Sequence, residues 1–207
     1  MAGNQRCAVN TKTVGVLALQ GGVREHLRSL EKCGVAAIPV KNIGELNTVD
    51  ALVIPGGEST TIIKLAEMYH LVDPIRNAIK SGMPTLGSCA GMILLADSIE
   101  GGIDGQETFR GLDITAKRNA YGRQVESFET EVELSGHTAP FPGVFIRAPF
   151  VERLGADVEV CAKISSGPHE GRIVGVRQGP IMAIAFHPEL TTDTRVHQEF
   201  VDLMREN

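Results

Sequence analysis

Residues 86–93, LGSCAGMI, place a cysteine between two glycines inside an otherwise apolar stretch. The pattern G-x-C-x-G from Gly87 to Gly91 is the cysteine form of the nucleophile elbow, in which a strand turns sharply into a helix. Glycines two residues to either side of Cys89 remove side chains that would collide at such a turn. The helix start would lower the thiol pKa, and the N–H of Ala90 could face an oxyanion. The motif predicts a nucleophile, although a small buried core cysteine fits the same stretch.

A thiol nucleophile needs a base, and the stretch IMAIAFHPEL offers one at the end of an apolar run. His187 is followed two residues later by Glu189, and residues i and i+2 of an extended segment point to the same side. The carboxylate could therefore orient the imidazole. Alone, this pair is better explained by a strand end with a solvated glutamate. Together with Cys89 it predicts a Cys-His-Glu triad.

Other potentially reactive residues have weaker contexts. The stretch PGGES, residues 55–59, supplies glycine N–H groups that could serve an oxyanion, although an ordinary strand-to-helix turn has the same composition. Two groups of side chains are expected to be structural. Surface or capping roles are predicted for the histidines His26, His70, His137, His169 and His197, and structural roles for the cysteines Cys7, Cys33 and Cys161.

The first half of the chain alternates between strand and helix patterns. Apolar, β-branched runs predict strands within residues 13–19, 36–40, 50–57 and 81–87. Amphipathic segments predict helices at 23–34, at 60–70 with Ser59 and Thr60 as caps, from Asp73-Pro74 onward, and at 91–99. Such alternation indicates a mainly parallel sheet, whose ligands bind outside the carboxyl ends of the strands.

The second half predicts strands joined by turns, with a closing helix over residues 193–207. We therefore expect an α/β fold with a flavodoxin-like open sheet, helices on both faces and an antiparallel extension in the C-terminal half. Residues 1–12 are expected to be a flexible lead-in, and residues 13–207 a single domain. The further strands are predicted within 111–119, 127–134, 143–149, 158–164, 172–179 and 180–188.

Composition excludes several functional classes. The formal charge of −5 and the absence of a basic tract argue against nucleic-acid binding. No apolar run reaches the roughly 20 residues of a membrane span, and the N-terminus lacks the apolar region of a secretory signal. The cysteines and histidines show no metal-binding spacing, so we expect no metal and no cofactor. Free thiols in a reducing, cytoplasmic compartment are the expectation.

The stretches PGGEST, GSCAGMILLA and FHPEL together resemble the class I, triad-type glutamine amidotransferases. Within that class, VGVLALQGGVREH, RNAYGRQVESFE and GVFIRAP are similar to the glutaminase subunits of pyridoxal 5′-phosphate synthases. The resemblance extends from about Val14 to the C-terminal helix.

This resemblance implies a specific reaction. Cys89 would attack the carboxamide carbon of L-glutamine, form a γ-glutamyl thioester and release ammonia. His187 would accept the thiol proton and later activate water, while Glu189 would orient His187. The resemblance further implies an oxyanion hole from the N–H groups of Gly57 and Ala90, and L-glutamine contacts at Gly57, Glu58, Ser59, Arg118, Ile146 and Arg147.

The resemblance also implies a protein partner. In such systems the glutaminase passes ammonia to a (β/α)₈-barrel synthase subunit within a hetero-oligomeric complex that makes pyridoxal 5′-phosphate for vitamin B6 biosynthesis. Partner binding would complete the oxyanion hole, and the stretch QGGVREH is a candidate docking element.

Two other functions stay open at this stage. A stand-alone cysteine hydrolase, such as a peptidase or thioesterase, would need an open cleft and activity without a partner. A non-catalytic binding module of the same fold would be expected to have lost the cysteine, the histidine or the glutamate. All three are present.

Overall fold

The computed structural model describes residues 12–103, 105–118 and 127–206, and most of its strands belong to one nine-stranded sheet. The order in that sheet is β2-β1-β3-β4-β12-β11-β10-β7-β8, and β5-β6-β9 form a second sheet. The strands are β1 Thr13–Leu17, β2 Ala36–Val40, β3 Ala51–Ile54, β4 Thr85–Ser88, β5 Ala96–Glu100, β6 Leu112–Lys117, β7 Ser127–Leu134, β8 Phe141–Ile146, β9 Phe150–Leu154, β10 Glu159–Ile164, β11 Ile173–Gln178 and β12 Ile181–Ile184. The helices are α1 Val23–Lys32, α2 Ile43–Leu46, α3 Ser59–Met68, α4 Val72–Lys80, α5 Ala90–Leu95 and α6 Arg195–Glu206.

The parallel half of the large sheet comprises β2, β1, β3, β4 and β12. Every residue of β3, β4 and β12 is buried, which is why these runs are apolar or small without alternation. Their carboxyl ends meet at one edge of the sheet, since Ser88 pairs with Ile184 and Gly87 with Ile54. The mainly parallel sheet predicted from the sequence is confirmed.

The antiparallel extension is also confirmed: β12, β11, β10, β7 and β8 pair antiparallel in succession. Rings of Phe141 and Phe145 pack on Phe186, with centroids 5.4 and 5.7 Å from it. The His187 N–H donates to the carbonyl of Val144 at 2.9 Å. The last strand of the extension thereby supports the segment that follows β12.

Several local expectations are wrong. The helix predicted over 91–99 is α5, which ends at Leu95, because residues 96–100 pair with β6 as a strand of the second sheet. Helix α3 is preceded by Glu58, without a side-chain cap, and Ser59 is its first residue. No sequence pattern indicated α2 or β9, both of which are short. Residues 1–11 and 119–126, and with them most of the RNAYGRQVESFE motif, lie outside the described residues.

Two glycines allow α5 to pack tightly against the strands beneath it. A Cβ at Gly91 would collide with the carbonyl oxygen of Ile54 in β3. A Cβ at Gly87 would lie 2.6 Å from the carbonyl carbon of Gly91. No real Cβ atom tolerates such distances, so any larger residue would push α5 away from the sheet. The close approach sets the sharpness of the turn that carries Cys89.

We expect Gly91→Ala to lower the free energy of unfolding by about 1–3 kcal/mol, because the added methyl group must displace backbone atoms. Urea denaturation followed by circular dichroism measures the loss. Gly44→Ala is the matched control, since Gly44 is exposed in α2 without a positive φ and an added Cβ would meet only the Asn42 side chain, at 3.2 Å. An equal or smaller loss in Gly91→Ala than in the control would contradict the packing argument.

Candidate active site

Cys89 lies on the turn between β4 and α5, with φ 49° and ψ −103°. A positive φ is uncommon for a residue with a side chain, so the turn has the strain that the elbow motif predicts. Its N–H donates to the carbonyl of Ile184 at 2.8 Å, which continues the pairing of β4 with β12. Its Sγ lies 3.7 Å from the carbonyl oxygen of Ile146. The cysteine is 5% exposed, and that exposure is toward a cavity.

His187 and Glu189 form the pair that the sequence predicts, but the backbone between them is not the extended segment that was expected. His187 Nδ1 lies 2.8 Å from Glu189 Oε1. The expectation of an extended segment is wrong, because residues 188–190 form a single 3₁₀ turn. That turn, rather than strand alternation, brings the carboxylate to the imidazole. The Glu189 side chain is 1% exposed, so the contact is shielded from water.

The ionisation of this pair follows from its surroundings. Burial lowers the pKa of His187, but hydrogen bonds with Cys89 and Glu189 and the charges of both outweigh burial and raise that pKa to about 10. Burial raises the pKa of Glu189, while the nearby His26 and the hydrogen bond with His187 bring it below its ordinary value. The site therefore stabilises a protonated His187 beside the Glu189 carboxylate.

Two histidines expected at the surface are fully buried, so that expectation is wrong for His26 and His197. His26 Nδ1 lies 2.9 Å from His197 Nε2, and His26 Nε2 lies 3.0 Å from Ser88 Oγ. His26 Nε2 is also 3.4 Å from Oε2 of Glu189, the oxygen that His187 does not contact. His26 thus contacts Glu189 of the predicted triad, and His197 contacts His26.

The helical spacing of both histidines was a signal in the sequence. His26 precedes the buried residues Ser29 and Leu30 of α1 by three and four positions. His197 precedes Phe200 and Val201 of α6 by the same intervals, and both of these are buried. A histidine within the apolar stripe of an amphipathic helix faces the core.

The glycine loop after β3 passes beside both predicted catalytic side chains. A Cβ at Gly56 would lie 2.9 Å from His187 Nδ1 and 3.3 Å from the Cβ of Cys89. At Gly57, a Cβ would collide with Oε1 of Gln20, the same atom that accepts the Glu58 N–H at 2.8 Å. No sequence motif indicated a role for the Gln20 side chain, which holds the loop against the segment that follows β1.

Polar side chains from three segments are hydrogen-bonded to one another beside the cavity that Cys89 faces. Arg118 donates to Oε1 of Glu58 at 2.8 Å and to Oε1 of Gln106 at 3.0 Å. Gln106 in turn donates to Ser59 Oγ at 3.2 Å. The structure therefore brings together three predicted substrate contacts and adds Gln106, which no sequence motif indicated.

One cavity of about 200 Å³ joins these features. Arg147, at the end of β8, reaches it from a backbone with φ 44°. The volume lies below the roughly 300–1,000 Å³ of sites for drug-sized ligands, so the cavity suits a compact molecule. Every predicted site residue except Glu189 lines it. The lining residues are Gln20, Gly57, Glu58, Ser59, Cys89, Ala90, Ile93, Arg118, Ile146, Arg147 and His187.

The other described cysteines have the character of structural residues. Burial raises the pKa of the Cys161 thiol to about 12, and burial also raises that of Cys33. Both are thus poor nucleophiles near neutral pH. Among the described residues, histidine, cysteine and acidic side chains form no cluster of three that could hold a metal ion. The described helices include none with the length and apolar character to cross a membrane.

A family model for the SNO glutamine amidotransferase family matches residues 16–206. The chain belongs to this family. A crystal structure of a glutamine amidotransferase is similar to this SNO-family chain with a TM-score of 0.85 and 46% sequence identity, over 93% of this chain and 98% of the other. The structure of PurLQS from Thermotoga maritima shares the fold, with a TM-score of 0.65 and 16% identity over 93% of this chain and 98% of the other.

Curated relatives of this SNO-family chain carry the name pyridoxal 5′-phosphate synthase subunit PdxT. The protein from Nocardioides sp. is 59% identical over 194 residues, covering 94% of this chain and 96% of the relative. The protein from Acidothermus cellulolyticus is 57% identical over 196 residues, covering 94% and 95%. The resemblance to glutamine amidotransferases is thereby confirmed over nearly the whole chain.

We expect the stability of the protein to fall as the pH drops below about 6.5. Burial, followed by the charge of His26, lowers the pKa of His197 to about 3, and burial lowers the pKa of His26 as well. Their neutral forms stabilise the fold fully above the unfolded pKa of about 6.5, and this contribution is lost toward pH 3. At pH 5 the loss from His197 is about 2 kcal/mol.

Urea denaturation at pH 7, 6 and 5 measures this dependence. His197→Gln removes one titrating group and should flatten the decline, whereas His70→Asn, at an exposed helix end, should not. Parallel pH dependence in all three proteins would contradict the assignment.

Proposed function

We propose that this protein is the glutaminase subunit of a pyridoxal 5′-phosphate synthase. It hydrolyses L-glutamine to L-glutamate and ammonia and delivers the ammonia to a synthase subunit. The observation that carries the proposal is one small cavity that is lined by Cys89, by His187 and by two arginines, with Glu189 in contact with the His187 ring. The family and the PdxT relatives support the substrate and the assembly.

The chemistry begins at the Cys89–His187 pair. The Cys89 thiolate attacks the carboxamide carbon of glutamine, and the carbonyl oxygen becomes an oxyanion. His187 donates its proton to the amide nitrogen, the C–N bond breaks, and ammonia leaves a γ-glutamyl thioester. Neutral His187 then takes a proton from water, which attacks the thioester and releases glutamate and the thiolate. Glu189 holds the imidazole orientation through both steps.

The oxyanion is proposed to be stabilised by the backbone N–H groups of Gly57 and Ala90. Ala90 is the first residue of α5, so its N–H has no acceptor within the helix. Gly57 belongs to the loop that Gln20 fastens beside Cys89. Donors held in place before the reaction stabilise the developing charge without reorganisation.

The amino-acid end of glutamine is proposed to bind at the far wall of the cavity. A guanidinium pairs with a carboxylate through two charge-assisted hydrogen bonds, and Arg118 and Arg147 are available there. Ser59, Glu58 and the backbone at Ile146 complete the contacts. Because Glu58 already pairs with Arg118, we propose that it orients this arginine and offers its carboxylate to the substrate ammonium group.

The synthase subunit is proposed to be a (β/α)₈ barrel that docks near the cavity in a hetero-oligomer, and the complex is proposed to be cytoplasmic. Ammonia released into water would be protonated and lost as a nucleophile, so direct transfer is required. The proposed docking surface comprises the exposed residues of QGGVREH, whose His26 is buried, and the exposed apolar residues Ile146 and Leu190. Residues 13–207 are proposed to form the single domain that makes these contacts.

Cys89→Ala should abolish glutamate formation from L-glutamine, because no other side chain in the cavity can form the thioester. Coupled glutamate dehydrogenase detection, with and without a PdxT-partner synthase subunit, measures the rate. Cys161→Ala is the matched control and should retain parental activity. Turnover that survives Cys89→Ala would overturn the assignment.

The same assay separates the other functions. Activity on thioesters or peptides at a rate independent of the synthase subunit would favour a stand-alone hydrolase. Absence of turnover in a complex verified by sedimentation would favour a non-catalytic module.

Arg118→Lys should raise KM for glutamine by about tenfold with a smaller change in kcat, since lysine cannot make the two-pronged contact. Arg153→Lys is the control, because Arg153 pairs with Asp113 and does not line the cavity. Initial rates across a glutamine series measure both constants. An unchanged KM in Arg118→Lys would show that this arginine does not bind substrate.

A further inference from the structure

The buried pair His26–His197 contacts the catalytic residues without touching the cavity. His26 Nε2 lies between Ser88 Oγ at 3.0 Å and Glu189 Oε2 at 3.4 Å. Glu189 Oε2 is buried and has no hydrogen bond to any described residue. The His26 ring faces it, with Nε2 at 3.4 Å. This free oxygen of the catalytic carboxylate is thus aimed at a histidine that the triad does not include.

The surrounding partners determine the tautomers of the two rings. If His26 carried its proton on Nδ1, it would donate to His197 Nε2, and the Nδ1–H of His197 would be a buried donor without a partner. The unprotonated Nε2 of His26 would then face the Glu189 carboxylate. With the proton on Nε2, His26 donates toward Ser88 and Glu189 and accepts from His197. We assign this second arrangement.

Ser88 extends the contact to the glycine loop. Its Oγ accepts the N–H of Gly56 at 3.0 Å. A Cβ at Gly56 would touch His187 and Cys89, so this loop has no freedom to shift relative to them. His26 therefore contacts the carboxylate that orients His187 and, through Ser88, is linked to the loop that carries Gly57.

We propose that His26 is a positioning residue for glutamine hydrolysis, holding Glu189 through Oε2 and the Gly56–Gly57 loop through Ser88. The inference rests on the proposed glutaminase function. His197 fixes the tautomer of His26 and the direction of its N–H. Neither histidine contacts glutamine.

The charges around His26 support a neutral donor. The titratable groups facing it are Glu189, His187, His197 and Glu25. Burial lowers the pKa of His26 most strongly, and the charge of His187 acts in the same direction against the two glutamates. A neutral His26 places its Nε2 3.4 Å from Oε2 of Glu189 without cancelling the charge of the carboxylate, which retains its full attraction for the His187 imidazolium.

Packing alone does not account for these side chains. Both histidines lie in buried stripes of α1 and α6, where apolar residues would fit without any desolvation cost. The two helices instead place the His26 ring against the Glu189 carboxylate and the His197 ring against His26.

The test compares His26→Leu with His26→Gln, whose amide NH₂ can occupy the position of Nε2. We expect His26→Leu to lower kcat by about 10- to 100-fold, as loss of a supporting hydrogen bond does at other catalytic sites, with KM within twofold of the parent. The acid limb of the kcat–pH profile should move to higher pH, because Glu189 loses a donor that favours its anion. His26→Gln should recover most of both effects.

Control variants separate positioning from folding. His137→Leu removes a histidine outside the site and should leave kcat and the acid limb unchanged. Ser88→Ala, which keeps His26 and removes the loop contact, should lower kcat without moving the acid limb. A uniform loss of activity in His26→Leu and His26→Gln with no pH shift would assign His26 to packing and overturn the proposal.

A measurement that needs no turnover distinguishes this proposal from the proposed function. Carbon-13 NMR of Glu189 Cδ follows its ionisation, and the proposal requires a higher pKa for this carboxyl in His26→Gln than in the parent, and higher still in His26→Leu. An unchanged titration overturns the role of His26 even if the parent is an active glutaminase. An inactive parent whose Glu189 titration shifts as expected would overturn the glutaminase function and retain the contact.

Discussion

A carboxylate inside a protein must be compensated by donors or positive charge, and the rest of this site is arranged around one, Glu189. His187 compensates one oxygen and His26 faces the other. Gly22, the residue before α1, lies against this carboxylate, and a Cβ at Gly22 would lie 3.1 Å from Oε1 of Glu189. Helix α1 can therefore approach the carboxylate closely enough to bring His26 to it. The same carboxylate stabilises the protonated imidazole of His187.

The parallel sheet makes this arrangement possible because it brings separate segments to one edge. The glycine loop follows β3, Cys89 follows β4, and His187 follows β12, and these three strands are neighbours. About a hundred residues separate Cys89 from His187 in the chain, yet the strands before them pair residue by residue. The second sheet and β8 add Arg118 and Arg147 from outside the parallel set. A parallel core thus carries the proposed reacting groups, while β8 and the second sheet carry the two arginines that are proposed to bind the amino-acid end of the substrate.

Much of this organisation could be predicted from the sequence because it depends on local patterns. Apolar runs without alternation indicated buried parallel strands, and glycines flanking Cys89 indicated a close helix contact that Gly91 and Ile54 confirm. Prediction failed where pairing with distant residues decided the outcome. Residues 96–100 follow a helix pattern, yet form a strand because β6 lies alongside them. Likewise Glu189 reaches His187 through a 3₁₀ turn that the stretch HPEL did not indicate.

The sequence by itself determined the triad candidates, most of the strands and the two elbow glycines, since each depends on residue type and short spacing. Only the tertiary structure decided which charged groups surround the triad. His26 and His197 are distant in sequence, and each is an ordinary member of its own helix. Their contact with each other, with Ser88 and with Glu189 exists because α1, α6 and the sheet edge pack together. Burial and the pKa shifts that follow from it are properties of that packing, and no local pattern specifies them.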